Sequence, residues 1–457
     1  MSPLLILVIG VVAVIGMIIG LRVNAFIALI AAAILISLLA PGELPTKVAR
    51  VAEAFGGVVG SIGIVIALAA VIGKCLMDSG AADQIVRSFL KLLGEKRASW
   101  ALMGSGFVLS IPVFYDTVFY LLVPLARSLC RRTKKDYLLY TTAIVAGAGI
   151  THTLVPPTPG PLFMAERLGI DLGLMILIGL LVGLPTSIVG LVVCRILNRL
   201  APMPMRPYSG DPEPEPLRDE QLPPLWLSLL PVVLPVILIS TNTITKVFAK
   251  AVGAGWFVRG ANDLTALVGN PNFALLVSAA IAMFLVVWKR GLSLRELERV
   301  VDKALMSGGI IILITAGGGA FGAMLREAGI KDYIEKSVTS GEHGLGLTVL
   351  LIAFGVSSLV KFAQGSGTVA MITTAATFSA MGMTSEALGF NPVYLAMAIG
   401  SGSLVGDWMN NSGFWIFSRM SVLTETETLK TWTILTASLG VTGLIFTMLF
   451  AKLLPLG

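Results

Sequence analysis

Charged residues are scarce in this chain. Only 13% of its 457 residues are Asp, Glu, Lys or Arg, whereas 56% are hydrophobic. Apolar runs long enough to cross a bilayer recur from one end to the other, so the chain is predicted to be an all-α polytopic membrane protein. The net charge of +7 comes from Lys and Arg clustered in short loops. There they are better interpreted as topology signals than as a nucleic-acid surface.

Cysteine and enzyme motifs are also scarce. The three cysteines are too few and too scattered for a disulfide framework or a CxxC metal site. The chain has neither an HExxH nor a GxSxG motif, which argues against an intramembrane enzyme. No metal site and no cofactor are therefore predicted. The first apolar run, 4–19, has no basic residues before it and no small-residue cleavage site after it, which favours a retained transmembrane helix over a cleaved signal peptide.

Proline interrupts one of the predicted membrane segments. Pro156, Pro157, Pro159 and Pro161 remove four backbone donors from the stretch 147–161. At membrane depth, irregular backbone is tolerated only where it is buried in protein or lines a polar cavity. This stretch is therefore predicted to be a broken helix at a binding site.

An internal repeat is predicted from two pairs of similar segments. Residues 72–88 align with 321–337, and the glycine-rich stretch 143–160 aligns with 396–413. Each half would contain about five transmembrane helices, a re-entrant hairpin and a broken helix; five is odd, so the halves would be inverted, as in many secondary transporters. The predicted domains are a first membrane repeat at 1–200, a Pro-rich cytoplasmic linker at 201–224 and a second, inverted membrane repeat at 225–457.

Two hairpins are predicted where small and polar residues interrupt an apolar run, at 98–130 and 344–380. Basic residues flank the first hairpin on both sides, which indicates that it enters and leaves the membrane on the cytoplasmic face. The hairpin tips read IPVFYDTVF and VKFAQGSGTVA. Together with the two broken helices, they give four elements that could form one site.

These four elements supply the candidate binding residues. Lys361 and the backbone donors near Gly160 and Gly413 would hold a carboxylate, and hydroxyl and amide groups would bind a hydroxylated ligand. Ionisable residues at membrane depth are functional by default, so Asp116, His152 and Asp407 are candidates for proton coupling. The predicted substrate-binding set is Thr158, Gly160, Lys361, Gln364, Gly365, Ser366, Thr368, Asn410, Asn411, Ser412 and Gly413.

Each candidate also has a purely structural interpretation. The small residues of the GSGT stretch could serve only to let helices pack closely. His152 could be a core histidine bonded to a carbonyl group. A buried carboxylate needs a partner or a proton, so Asp116 or Asp407 could form an ion pair with Lys361.

Four motifs carry a resemblance to a known family. They are FYDTVF at 114–119, HTLVPPTPGP at 152–161, AQGSGTVAM at 363–371 and NNSGFW at 410–415. At these motifs the chain resembles the gluconate permease family of proton symporters, within the wider ion transporter superfamily. The resemblance implies import of a sugar acid such as gluconate with a proton across the inner membrane. It also implies a homodimer with a scaffold part and a mobile part that carries the hairpins.

The chain departs from the family pattern at several of the same positions. Relatives commonly have arginine in place of Lys361, glutamate in place of Asp116, histidine in place of Thr158, and NDPGFW where this chain has NNSGFW. Some family members take D-glycerate or D-serine, so the substrate is left open. Sodium is the nearest alternative to the proton, because unwound carbonyls and Asn and Ser side chains could form an oxygen cage.

Overall fold

The computed structural model describes residues 2–207, 219–252, 263–329, 346–409 and 411–456. Throughout these ranges the regular secondary structure is helical, without strands. Seven of the described helices are long and apolar enough to cross a membrane: Thr46–Asp78, Tyr137–Arg167, Leu172–Leu200, Leu225–Thr245, Pro271–Arg290, Leu294–Glu327 and Glu425–Leu453. The prediction of an all-α, multi-pass membrane protein is therefore confirmed.

The helices of the first half have a simple order along the chain. They are α1 (Pro3–Ile15), α2 (Ala25–Leu39), α3 (Thr46–Asp78), α4 (Ala81–Leu93), α5 (Ala98–Leu109), α6 (Tyr115–Thr133), α7 (Tyr137–Leu154), α8 (Pro159–Arg167) and α9 (Leu172–Leu200). Helices α5 and α6 form the first predicted hairpin. Helices α7 and α8 are the two parts of the first broken helix, separated by the proline-rich stretch.

The second half contains a comparable series. It comprises α10 (Leu225–Val252), α11 (Pro271–Arg290), α12 (Leu294–Glu327), α13 (Gly346–Gln364), α14 (Gly367–Ala380), α15 (Val393–Gly402), α16 (Ser412–Met420) and α17 (Ile434–Leu453). Helices α13 and α14 form the second hairpin, and α15 and α16 form the second broken helix. A hairpin, a broken helix and a long helix thus follow one another in both halves, while the opposite orientation of the halves stays a prediction.

Short polar side chains mark where several of these helices begin. Ser293 and Glu296 form a capping box at the start of α12, and Asp171 accepts hydrogen bonds from the first turn of α9. Such caps satisfy backbone N–H groups that have no partner within the helix. Parts of two predicted features, the repeat segment 330–337 and the linker segment 208–218, lie outside the described residues.

Glycines allow the closest helix contacts of the core. A Cβ atom on Gly147 of α7 would overlap the backbone of Met103 in α5. Likewise, a Cβ atom on Gly322 of α12 would lie 2.8 Å from the Cβ of Ala376 in α14. Small residues at such crossings let membrane helices approach until their backbones touch. These contacts fix α5 against α7 and α12 against α14.

Candidate functional site

A cavity of about 560 Å³ lies where the four predicted elements meet. Its size is in the range that holds a small organic molecule. The two hairpins contribute Phe114, Tyr115 and Thr117, and Lys361, Gly365, Ser366, Gly367, Thr368 and Met371. The two broken helices contribute Val145, Gly149, His152 and Thr153, and Ser403, Leu404, Asp407, Asn411, Ser412 and Gly413. Most of the predicted site residues are therefore brought together.

The local sequence explains how the chain turns at the second hairpin and at the second break. Gly365 has a φ of +86°, a conformation that residues with a side chain rarely adopt, and it reverses the chain between α13 and α14. Ser366 then caps α14 by accepting a hydrogen bond from Val369 N at 3.3 Å. Asn411 caps α16 in the same way, accepting from Gly413 N at 2.9 Å. Two helices consequently begin at the cavity wall, where their N-terminal dipoles favour an anion.

The most polar part of the wall is an ion pair between Lys361 and Asp407. Lys361 Nζ lies 3.1 Å from Asp407 Oδ1 and donates a hydrogen bond of 2.6 Å to Gly365 O. The Asn411 amide donates to the same Asp407 oxygen. The two charged residues are only 2% and 3% exposed, so each depends on the other for compensation of its charge. Lys361 therefore forms a buried ion pair, one of the interpretations open from the sequence, and its partner is Asp407.

His152 lies on α7 and also lines the cavity. Its ring meets that of Phe114 edge-on at 6.1 Å between centroids. Its Nδ1 atom is buried and makes no hydrogen bond to any described residue. His152 therefore carries an unused polar atom beside the cavity.

Two predicted residues lie behind the lining rather than in it. Thr158 is 3% exposed, and its hydroxyl donates to His152 O at 2.9 Å and to Val155 O at 2.8 Å. Gly160 packs against the end of the Met371 side chain, where a Cβ atom would overlap. Asn410 lies outside the described residues, as do the side chains of Asp116 and Gln364. A ligand contact for these five residues stays a prediction.

Four lining residues come from outside the four predicted elements. Ser307 and Ile311 lie one helical turn apart on α12. Trp432 lies just before α17 and Thr436 lies in its first turn, so these two residues are also one turn apart. In both pairs a spacing of four places the side chains on one face of a helix. Neither stretch contains a break, a motif or an intramembrane charge, so no sequence signal marked them.

The fold is that of a membrane transporter. The crystal structure of the Alcanivorax borkumensis YdaH transporter superposes with a TM-score of 0.67, over 95% of this chain and 98% of that chain. The identity is 15%, so this likeness concerns the fold alone. Broken helices that meet at a cavity are typical of secondary transporters.

Comparison of the sequence then gives the family. The model of the GntP family permeases matches residues 2–453. A gluconate permease of Pseudomonas aeruginosa is 33% identical over 95% of this chain and 94% of its own. The Gnt-II system L-idonate transporter of Escherichia coli is 30% identical over 97% of this chain and 98% of its own. The chain belongs to the GntP permease family, which confirms the resemblance found in its motifs.

Proposed function

We propose that this protein imports a small hydroxylated monocarboxylate of the gluconate type together with a proton. The observation that carries the proposal is a buried lysine, Lys361, at the wall of a cavity lined by hydroxyl groups and helix starts. Gluconate and L-idonate, the compounds in the names of two relatives, are sugar acids of this kind. A multi-pass chain with basic short loops fits the inner, cytoplasmic membrane, where we expect a homodimer.

Binding of the carboxylate would exchange the partner of Lys361. In the structure Asp407 Oδ1 lies 3.1 Å from Lys361 Nζ, and both groups are buried. A substrate carboxylate that takes this place leaves Asp407 as a buried anion without its cation. Such a group is stabilised by a proton, because an unpaired charge in a dry site is costly. The substrate and one proton would therefore bind together, with Asn411 holding the protonated Asp407 in position.

Joint binding of the substrate and one proton also removes the electrical cost of importing an anion. Moving a monoanion into a cytoplasm at negative potential costs about 2.3 kcal/mol per 100 mV. One proton carried with each monoanion cancels the transferred charge. The pH gradient then supplies the driving force, and the membrane potential neither helps nor opposes transport.

The test is uptake of labelled gluconate by proteoliposomes that carry the purified protein. We expect saturable accumulation when a pH gradient, acidic outside, is imposed, and loss of accumulation when an ionophore collapses it. Replacement of sodium by choline is expected to leave uptake unchanged. Uptake that requires sodium, or that ignores the pH gradient, would refute proton coupling.

Three variants separate the candidate proton carriers. Asp407→Asn, Asp116→Asn and His152→Gln each remove one titratable group from the predicted set. If the substrate carboxylate replaces Asp407 at Lys361, Asp407→Asn is expected to abolish accumulation against a gradient. This variant should still exchange labelled for unlabelled gluconate, because that process needs no net proton movement. Full accumulation by Asp407→Asn would remove this residue as the carrier.

A further inference from the structure

Trp432 is a buried aromatic residue of the cavity wall. It is 3% exposed, and its ring packs against those of Tyr115 and Phe417 at 5.3 and 5.4 Å between centroids. Its indole Nε1 donor makes no hydrogen bond to any residue that the structure describes. A buried N–H group without a partner is unfavourable, and indoles in this position normally find one. Trp432 therefore carries a donor that the protein itself leaves unused beside the cavity.

The backbone around Trp432 departs from a regular α-helix. Residues Leu429–Thr433 form a π-helical turn between the short helix Glu425–Thr428 and α17. An extra residue in a helical turn changes the direction in which the following side chains point, and such turns are frequent at functional sites. The hydroxyl of Thr436, which also lines the cavity, donates to Trp432 O at 3.0 Å and supports this turn.

The indole lies next to the ion-paired part of the wall. A Cβ atom on Gly413 would be 3.1 Å from Trp432 Cζ2 and 3.6 Å from Asn411 Nδ2. The Asn411 amide in turn donates to Asp407, the partner of Lys361. The wall thus runs from a cation, through an amide, to an aromatic residue with an unused donor. A carboxylate held at Lys361 would direct the rest of its carbon chain along this wall.

We propose that Trp432 binds the hydroxylated carbon chain of the substrate, with its indole N–H donating to a hydroxyl remote from the carboxylate. Tyr115 and Thr436 form the adjoining surface of this subsite. The inference rests on the proposed function, since it assumes that Lys361 holds the carboxylate. It assigns to Trp432 the discrimination between long and short hydroxy acids, because only a long acid reaches from one end of the wall to the other.

The test removes the donor while keeping the ring. In the full-length protein, 3-benzothienylalanine is incorporated in place of Trp432, which replaces the indole N–H by sulfur. The KM and maximal rate are measured for labelled gluconate, together with inhibition of that uptake by D-glycerate. We expect the KM for gluconate to rise about fivefold, as for loss of one hydrogen bond, with little change in maximal rate. Inhibition by D-glycerate is expected to change less than twofold.

Trp415 provides the matched control. Its indole N–H donates to Met409 O at 2.7 Å, and its side chain does not line the cavity. The same replacement at Trp415 is expected to leave the KM for gluconate unchanged. If the replacement of Trp432 leaves the KM for gluconate unchanged, or weakens the binding of gluconate and D-glycerate equally, the subsite is overturned while the proposed function stays intact. If the unmodified protein takes up no gluconate under a pH gradient, the proposed function and the subsite fail together.

Discussion

The buried ion pair permits a quantitative test of how the site is built. Lys361→Met and Asp407→Asn each remove one charge from a pair in which both residues are at most 3% exposed. Removing one partner of a buried pair leaves an uncompensated charge and typically costs about 3–5 kcal/mol. The double variant removes both charges. We therefore expect either single variant to lower the free energy of unfolding by about 3–5 kcal/mol, and the double variant to lower it by less.

The chain contains a comparison pair of the same chemistry. Lys74 Nζ lies 2.8 Å from Asp78 Oδ1, but these side chains are 35% and 28% exposed. Partly exposed pairs contribute about 0–1 kcal/mol, so Lys74→Met is expected to be mild. Unfolding of the purified variants in detergent gives the stabilities, and uptake in proteoliposomes gives the transport rates. The double variant Lys361→Met with Asp407→Asn is expected to be folded but inactive.

Three results would contradict this reasoning. If the effects of the two single variants simply add in the double variant, the two residues do not compensate each other. If Lys361→Met is as mild as Lys74→Met, the burial of Lys361 carries no energetic consequence. Transport by the double variant at the normal rate would show that neither charge is needed for substrate binding.

Three further predictions concern packing and cavity size. Thr158→Val should lower stability by about 1 kcal/mol by removing its hydroxyl's hydrogen bonds, with the KM unchanged; a raised KM at normal stability would instead support direct substrate binding. Gly147→Ala should destabilise the protein by about 1–3 kcal/mol, because its Cβ would overlap backbone, whereas Gly149→Ala, with its nearest atoms at 3.9 Å, should be tolerated in the same unfolding assay. Ser307→Phe should fill part of the cavity and abolish gluconate uptake, while Ser307→Ala should transport normally; uptake by both variants would exclude Ser307 from the cavity wall.

The positions of the membrane helices and their breaks could be predicted from local sequence. The prolines at 156–161 end α7 and allow α8 to begin, because proline lacks the donor that a helix interior needs. Glycine and serine at 365–366 similarly separate α13 from α14. Such breaks in apolar runs must lie in protected surroundings, so their convergence on one cavity was predictable.

The partners of individual side chains could not be predicted in the same way. From the sequence, both Asp116 and Asp407 were candidate partners of Lys361. Asp407 pairs with it because the second broken helix packs against the second hairpin, and this contact depends on tertiary structure. The turn after α7 brings the Thr158 hydroxyl to two carbonyl oxygens, although the residue type suits a ligand equally well. Trp432 reaches the cavity through a π-helical turn that no residue pattern in Leu429–Thr433 indicates.

The pairing of Lys361 with Asp407 has a consequence for the cell, where inorganic anions and simple organic acids are abundant. Because the lysine already holds a carboxylate of the protein, any visiting anion must compete with an internal one. A chloride ion or acetate offers no groups for the remaining wall and gains little from that competition. Under the proposed function, a sugar acid would add a row of hydroxyl contacts that favours its entry. On this mechanism Asp407 holds the anion-binding lysine whenever no substrate is bound. Common anions are therefore expected neither to inhibit the protein nor to be transported by it.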